Sequence, residues 1–516
     1  MSETFGVRVI TEDLKSREYE RRWWTLGVLC LSLVMIVVAN ASLNVALPTL
    51  VNDLHAGSSS LQWIVDAYSL VFAGLLLTAG SLGDRYGRRL ALNGGLLIFG
   101  VASGLAAFAG SATQLIAARA VMGVGAAFVM PATLSVLAHV FPPQERKQAI
   151  AIWAGFAGVG AALGGVISGW LLEHFWWGSI FLTNVGVVVV ALIAGAFLIP
   201  SANEDHEPAL DLVGAVLSIA GLGALVYAII EAPSRGWLSA STVGAFSIAI
   251  VILAAFSMWE LRVPEPMLDL RFFRNPQFAA AAGSITFVFF VMFGMIFTLT
   301  QYLQLVLGYS PLEAGARMLP WAVVYMISAR RSARVVERFG QRAVVSLGLA
   351  VVAAGLALLA LSGLHANYPL LVLSLVVGAA GMGMVTAPST GAIIVSLPLN
   401  KAGVGSAVND TTRELGGALG VAVLGSLIAS LYRADLPVSA HAATTSLGAG
   451  LEAAATLPGP AGAALAHSAR AAYVHAFDIT MLVAVGVALL TAVLISFVLR
   501  PVVAVEAEES SELQAA

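Results

Sequence analysis

Charge is what this 516-residue chain has little of: Asp, Glu, Lys and Arg make up 11% of it, against 59% hydrophobic residues. Soluble domains carry about 25% charge, so a soluble fold is excluded, and a mean hydropathy of +0.90 points to lipid. Cysteine is equally scarce. Cys30 stands alone, which rules out an intramolecular disulfide and a cysteine-rich metal site. It lies in the first apolar segment and reads as a packing thiol. No phosphate-binding Gly-Lys-Ser/Thr loop occurs, so ATP-driven pumping by this chain has no support. Histidines such as His139, His174, His206 and His365 are scattered in loops or at segment ends without ligand spacing. An enzyme, a resident metal, a cofactor and a nucleic-acid partner are therefore not expected.

What is there is apolar sequence in long runs. A helix needs roughly 20 such residues to cross about 30 Å of hydrocarbon. Fourteen runs qualify, at about 23–47, 61–80, 90–109, 114–138, 148–172, 178–199, 211–231, 239–260, 278–304, 312–329, 343–363, 369–396, 402–431 and 477–499. The first exceeds a signal-peptide core in length and reads as retained. Residues 432–476 are rich in Ala, Gly, Ser and Pro and read as a long loop, with room for a surface helix. The acidic tail after residue 499 reads as disordered.

Lys and Arg set the orientation. Of the 26 in the chain, only Arg235, Arg433 and Arg470 fall on one side of the runs. Arg119, Arg317 and Arg413 lie within them, and the rest fall on the other side with the N-terminus. Both termini are thus expected in the cytoplasm and 432–476 outside. Arg317 sits near a span end, where it can snorkel to the interface.

Gly83-Asp84-Arg85-Tyr86-Gly87-Arg88-Arg89 joins the second and third spans, and Val336-Glu337-Arg338-Phe339-Gly340-Gln341-Arg342 repeats it 253 residues later. The fourth span, Gly123 to Pro131, has a weaker echo 257 residues on, at Ala380 to Pro388. Similar offsets predict a duplicated six-span unit with spans seven and eight inserted between the copies. The expected order is a polar segment 1–22, a lobe 23–199, inserted helices and linkers 200–277, a second lobe 278–499 and a tail 500–516. Paired lobes of this kind are how many transporters alternate access to a substrate held between them.

Charge inside a span is expensive and usually functional. Asp66 and Arg119 each lie about five residues in from the outer face, roughly 7–8 Å deep at 1.5 Å per residue. A pair at matched depth is predicted, either as a reversible proton site or as a static ion pair. Asp410, Arg413 and Glu414 lie near the middle of the thirteenth span. Asp410 and Glu414 share a helix face, where two carboxylates compete for one proton, with Glu414 the favoured titrating group. The alternative is a structural triad neutralised by Arg413.

These features together resemble the major facilitator superfamily, and within it the fourteen-span drug:proton antiporters of the EmrB/QacA type. The resemblance rests on Asn44 to Pro48, Gly80 to Arg89, Arg119 with Gly123 and Gly125, Leu171 to Val185, and Ala402 to Gly417. It implies an all-α polytopic membrane protein with the major facilitator fold: two six-helix lobes plus two inserted central helices. It implies proton-driven export of drugs or antibiotics from the bacterial inner membrane, by a monomer, without a cofactor. Asp66 plus aromatics would suit a lipophilic cation. A uniporter or importer is the rival within transport; a membrane-embedded enzyme or a non-transporting sensor is the rival outside it. Two positions depart from the family pattern. Ala39 replaces the usual first-span Asp, and Gly164-Gly165 with Ser168-Gly169 replace the Gly-Pro-containing fifth-span motif.

The same resemblance nominates cavity residues on spans 1, 2, 5, 9, 10 and 13: Asn40, Asn44, Trp63, Tyr68, Trp153, Gln301, Tyr302, Trp321, Tyr325 and Asn409. It also implies a gate. Gly83 and Gly87 allow a tight turn, Arg85, Arg88 and Arg89 hold the topology, and Asp84 docks on the start of the thirteenth span at Gly403 to Ser406 when the cavity opens outward. A helix N-terminus favours such an anion. Glu337 and Arg338 form the weaker copy.

Overall fold

The computed structural model describes residues 2–199, 211–264, 266–365, 367–397, 402–436 and 445–498; the side chains of 2–18, 84, 143, 147 and 402–404 lie outside the description. No strand occurs among the described residues. Six helices come first: α1 (Ser2–Leu54), α2 (Ser58–Tyr86), α3 (Arg88–Ala107), α4 (Ala112–Val140), α5 (Pro143–His174) and α6 (Ser179–Leu198). The pair α7 (Leu212–Arg235) and α8 (Ala240–Glu260) follows. Then come α9 (Pro276–Gln301), α10 (Pro311–Arg317), α11 (Leu319–Phe339), α12 (Gln341–Leu359), α13 (Tyr368–Val395), α14 (Ala402–Asp435), α15 (Leu447–Thr456) and α16 (Pro460–Val498).

Apolar faces gather these helices into two cores. One is built mainly from residues of α1 to α6 around Leu29, Phe72, Phe99 and Phe181. The other is built from α9 to α16 around Tyr302, Leu349, Met382 and Phe477. A smaller cluster of Leu70, Val226, Ile229, Ile230, Ala418 and Ala422 wedges α7 between α2 of the first set and α14 of the second.

Close approach inside each core relies on glycine, because lipid-solvated helices gain most from backbone contact. A Cβ on Gly95 or Gly125 would strike the other's carbonyl oxygen where α3 crosses α4. Gly348 and Gly381 make the equivalent contact where α12 crosses α13. The charged turns are equivalent too. Gly87 has φ +105° and Gly340 φ +78°, a region other residues avoid. Each donates its N–H to the residue four positions earlier, Gly83 at 3.0 Å and Val336 at 2.8 Å. The next residue then reaches the Pro-bearing helix of its own set: Arg88 donates to Ser135 O and Gln341 to Pro388 O, both at 3.5 Å.

Thirteen described helices are long and apolar enough to cross a membrane. The expected span at 312–329 differs. It is broken at Met318 into α10 and α11, beside Pro320, which has no N–H to continue the ladder. The second half of α11 then carries Arg330, Arg331, Arg334, Glu337 and Arg338, which lowers its hydropathy. The expected loop 432–476 is also shorter. α14 runs to Asp435, α15 follows, and α16 starts at Pro460, because Ala-rich sequence is good helix former even where it is too short of bulk to look membrane-bound. The polar segment before residue 23 continues α1. The tail 500–516 lies outside the described residues.

Candidate functional site

The two lobes meet along α2 and α14, and the charged residues predicted from sequence lie along that line. Arg119 of α4 is fully buried. Its Nε donates to Ile64 O at 3.1 Å, one terminal nitrogen donates to Asn40 Oδ1 at 3.0 Å, and the guanidinium lies 4.3 Å from the Tyr68 ring centroid. Neutral groups therefore hold this cation. Asn40 follows Ala39, so an amide oxygen serves where the related pattern has a carboxylate nearby.

Asp66 is fully buried as well, yet neither carboxylate oxygen has a hydrogen-bond partner. The expected Asp66–Arg119 pair does not form. Helix geometry is the reason: at about 100° per residue, Asp66 points roughly 160–200° away from Ile64 and Tyr68, the α2 residues that face Arg119. Matched depth was readable from sequence, but matched direction was not.

On α14 the acids separate as well. Asp410 Oδ1 accepts from Asn409 Nδ2 at 3.2 Å and lies 3.9 Å from Arg413. Thr390 Oγ1 of α13 donates to Asn409 Oδ1 at 3.0 Å and accepts from Arg413 at 3.2 Å. Glu414 turns toward α2, beside the Ser69 hydroxyl, within electrostatic reach of Asp410, Arg413 and Arg119. The sequence singled out neither Ser69 nor Thr390. Hydroxyl residues are common in membrane helices, and both partners are distant in the chain.

The nominated cavity residues scatter. Asn40, Tyr68 and Asn409 join the polar groups just described. Asn44 is buried and donates to Asn40 O at 3.0 Å. Trp63 instead faces Tyr227 of α7, ring centroids 6.3 Å apart. Tyr302 belongs to the second core: its hydroxyl donates to Gly363 O at 2.6 Å and its ring stacks on Phe477. Gln301 is buried, bonds its own helix at Phe297 O, and lines a small pocket with Gln62, Tyr432 and Tyr473. Trp321 stacks on Tyr325 at 5.4 Å. Trp153 packs against the first core. The indole nitrogens of Trp153 and Trp321 are buried without a partner.

At the end of the bundle where α1 gives way to α2, the lobes touch directly. Gln304 donates to Val45 O at 2.9 Å, Leu312 N–H to Glu173 Oε1 at 3.3 Å, and Ser426 to Gln62 Oε1 at 3.1 Å. Gly165 of α5 meets Gly315 of α10 backbone to backbone, so the fifth-span glycines serve this contact without the proline. At the opposite end, Arg89 donates to Ala196 O at 2.8 Å, and the Arg85 and Arg338 guanidiniums lie over Tyr86 and Phe339. Glu337 is exposed. The expected contact of Asp84 with Gly403 to Ser406 falls on side chains outside the described residues.

A sequence profile described as the Major Facilitator Superfamily matches residues 29–421. The chain belongs to that superfamily. It is a multi-pass membrane transport protein, not an enzyme. It is 38% identical over 463 residues to the multidrug efflux pump LfrA of Mycolicibacterium smegmatis, covering 88% of this chain and 92% of that one. The methyl viologen resistance protein SmvA of Salmonella typhimurium is 35% identical, covering 87% and 92%. The tetracenomycin C resistance and export protein of Streptomyces glaucescens is 34% identical, covering 80% and 76%. The crystal structure of a bacterial homologue of the human lysosomal transporter Spinster aligns with TM-score 0.68 over 93% of this chain and 97% of that one, at 17% identity. That likeness speaks to the fold.

Proposed function

We propose that this protein exports lipophilic cationic drugs or antibiotics from a bacterial cell in exchange for protons, by alternating access between its two lobes. The observation that carries the coupling is Asp66: a carboxylate in a membrane helix with no exposure, no cation and no hydrogen-bond donor. Burying an isolated ion costs far more than burying its neutral form, so this conformation holds Asp66 as the acid. Losing that proton requires water or a cation to arrive, which ties charge state to conformation. Glu414, facing α2 across the lobe interface, and Asp410 with Arg413 supply a second proton-responsive group. Arg119 positions α2 against α4. Relatives named for multidrug efflux and methyl viologen resistance support a cationic cargo. A relative named for tetracenomycin C export, together with Ala39, favours a second reading in which the cargo is an uncharged antibiotic.

The excess of Lys and Arg on one side supports an orientation with both termini on the cytoplasmic face of the inner membrane. The lobe contacts at Gln304, Leu312 and Gln62 then lie outside, and the conformation is closed to the exterior. Asp84 would latch the opposite end when the outside opens. The protein acts as a monomer, and the gradient drives it without a cofactor. The test is efflux of a fluorescent lipophilic cation from proteoliposomes under an imposed pH gradient. Export should stop when an uncoupler collapses the gradient; export indifferent to the gradient leaves a uniporter. No flux of any cation, with flux of an uncharged antibiotic, selects the second reading.

A further inference from the structure

Ser59, Trp63, Asp66, Leu70 and Gly74 recur on α2 every three or four residues and so form one stripe along the helix. Four of the five have partners on α7. Ser59 donates to Ile230 O at 3.3 Å, and Trp63 faces Tyr227. Leu70 packs with Val226, Ile229 and Ile230, and Gly74 receives the side chain of Ile219. Asp66 sits in the middle of the stripe and has none. α14 closes the other flank through Ser426 on Gln62 and through Ala418 and Ala422.

We propose that α7 is the movable cover of the Asp66 carboxylate: the proton reaches and leaves Asp66 through the seam between α2 and α7, which opens during turnover. The inference rests on Asp66 being the proton carrier and adds the route. The far side of α2 is closed to this traffic, because Arg119 there is held by Asn40, Ile64 O and Tyr68. The flank toward α14 is tied by a hydrogen bond and by Gly425 packed on Gln62. Among the described residues the seam with α7 is apolar at Asp66's level, with its one hydrogen bond near one end. At that same end α7 is pinned to α14, by Arg433 donating to Pro233 O and, just beyond it, by Trp237 to Ser430 Oγ at 3.1 Å. Opening is therefore a swing about the pinned end.

No charged group on the neighbouring elements reaches Asp66 among the described residues. On α7, Glu231 pairs with Arg235 at 3.3 Å, and Arg235 also lies over Tyr227. On α14, Glu414 turns to Ser69 and Arg433 to Pro233 O. On α4, Arg119 is occupied as described. The inserted helix α7 is then a working part of the coupling site and not a spacer between lobes.

A disulfide across the swinging end tests this. A Cβ on Gly74 would lie 3.5 Å from Ile219 Cβ, within the roughly 3.5–4.5 Å that a disulfide needs. Gly74→Cys with Ile219→Cys is placed in a Cys30→Ala background, so that no other thiol competes, and the full-length protein is assayed in proteoliposomes. Oxidation should cut gradient-driven cation efflux and the matching proton flux at least tenfold. A reductant should restore both, and cation binding without a gradient should be unchanged. Cross-linked protein that transports within twofold of its reduced form overturns the proposal.

A second variant covers failure of the pair to form. Leu70→Cys in the same background should react with a membrane-impermeant maleimide during turnover and stay protected at rest. Equal protection in both conditions overturns the proposal. Asp66→Asn in the same assay separates the two layers. If it still couples, the reading of Asp66 fails; if it is inactive while the cross-link is harmless, only the role of α7 fails.

Discussion

Each lobe sets an arginine and at least one acid near the lobe interface, and the two lobes treat them in opposite ways. In the first, Arg119 and Asp66 are fully buried and do not touch. Arg119 gives one nitrogen to a carbonyl and one to an amide oxygen and lies over a ring, with its other terminal nitrogen unpartnered; Asp66 has no partner at either oxygen. In the second, Arg413 and Asp410 are partly exposed, 32% and 20% by side chain, and are linked through Asn409 and Thr390. At 3.9 Å the pair is loose, and each member also has a neutral partner, Asn409 for Asp410 and Thr390 for Arg413. The buried lone acid has no such partner. The difference is the basis for the proposal that Asp66 carries the obligatory proton and the α14 acids tune it.

The largest effect should come from erasing the lone acid. Asp66→Asn should reduce gradient-driven efflux to the level of empty proteoliposomes while expression and folding persist, since an amide is tolerated where a neutral acid sits. Efflux within twofold of wild type would remove the basis of the comparison.

Next is the pair of arginines. Arg119→Gln should lower stability by roughly 2 kcal/mol, the scale of hydrogen bonds to a charged group lost from a buried site, and should cut transport about tenfold. Arg413→Gln should cost less than half as much. Thermal unfolding in detergent reads both, and equal losses would mean that burial does not separate the two sites.

Glu414→Gln should shift or flatten the pH–rate profile with a smaller loss of maximal rate, because Glu414 spans the interface to Ser69. Asp410→Asn should shift it less. If the order is reversed, the tuning group is Asp410.

The smallest effects on transport belong to the repeated turns. Gly87→Ala and Gly340→Ala each force a positive φ on a residue with a Cβ, worth roughly 1–3 kcal/mol of strain. Both should lower the melting temperature by similar amounts, with transport more sensitive at Gly87 because its turn carries Asp84 and three arginines. Glu337→Gln should be close to neutral beside Asp84→Asn in flux measurements; equal damage from both would make the two turns functionally equivalent.

Much of the fold was legible because its determinants are local or periodic. Apolar length gives the spans, positive φ at a charged turn demands the glycines, and the repeat of the turn at Gly83 to Arg89 in Val336 to Arg342 announces a duplication, whose crossing glycines, Gly95 with Gly125 and Gly348 with Gly381, only the structure pairs. The split of α10 from α11 was less visible, since Pro320 breaks the ladder only if the backbone before it has turned.

The candidate site was legible in content and not in direction. Sequence alone determined that charges are rare, that Asp66, Arg119, Asp410, Arg413 and Glu414 sit inside membrane helices, and how deep each lies, because rise per residue is fixed. Tertiary structure alone decided which way each side chain points. A helix's rotation about its own axis is set by what packs on every side of it. Packing of α4, α7 and α14 around α2 gave Tyr68 and Ile64 to Arg119, gave Ser69 to Glu414, and left Asp66 facing the inserted helix with no partner.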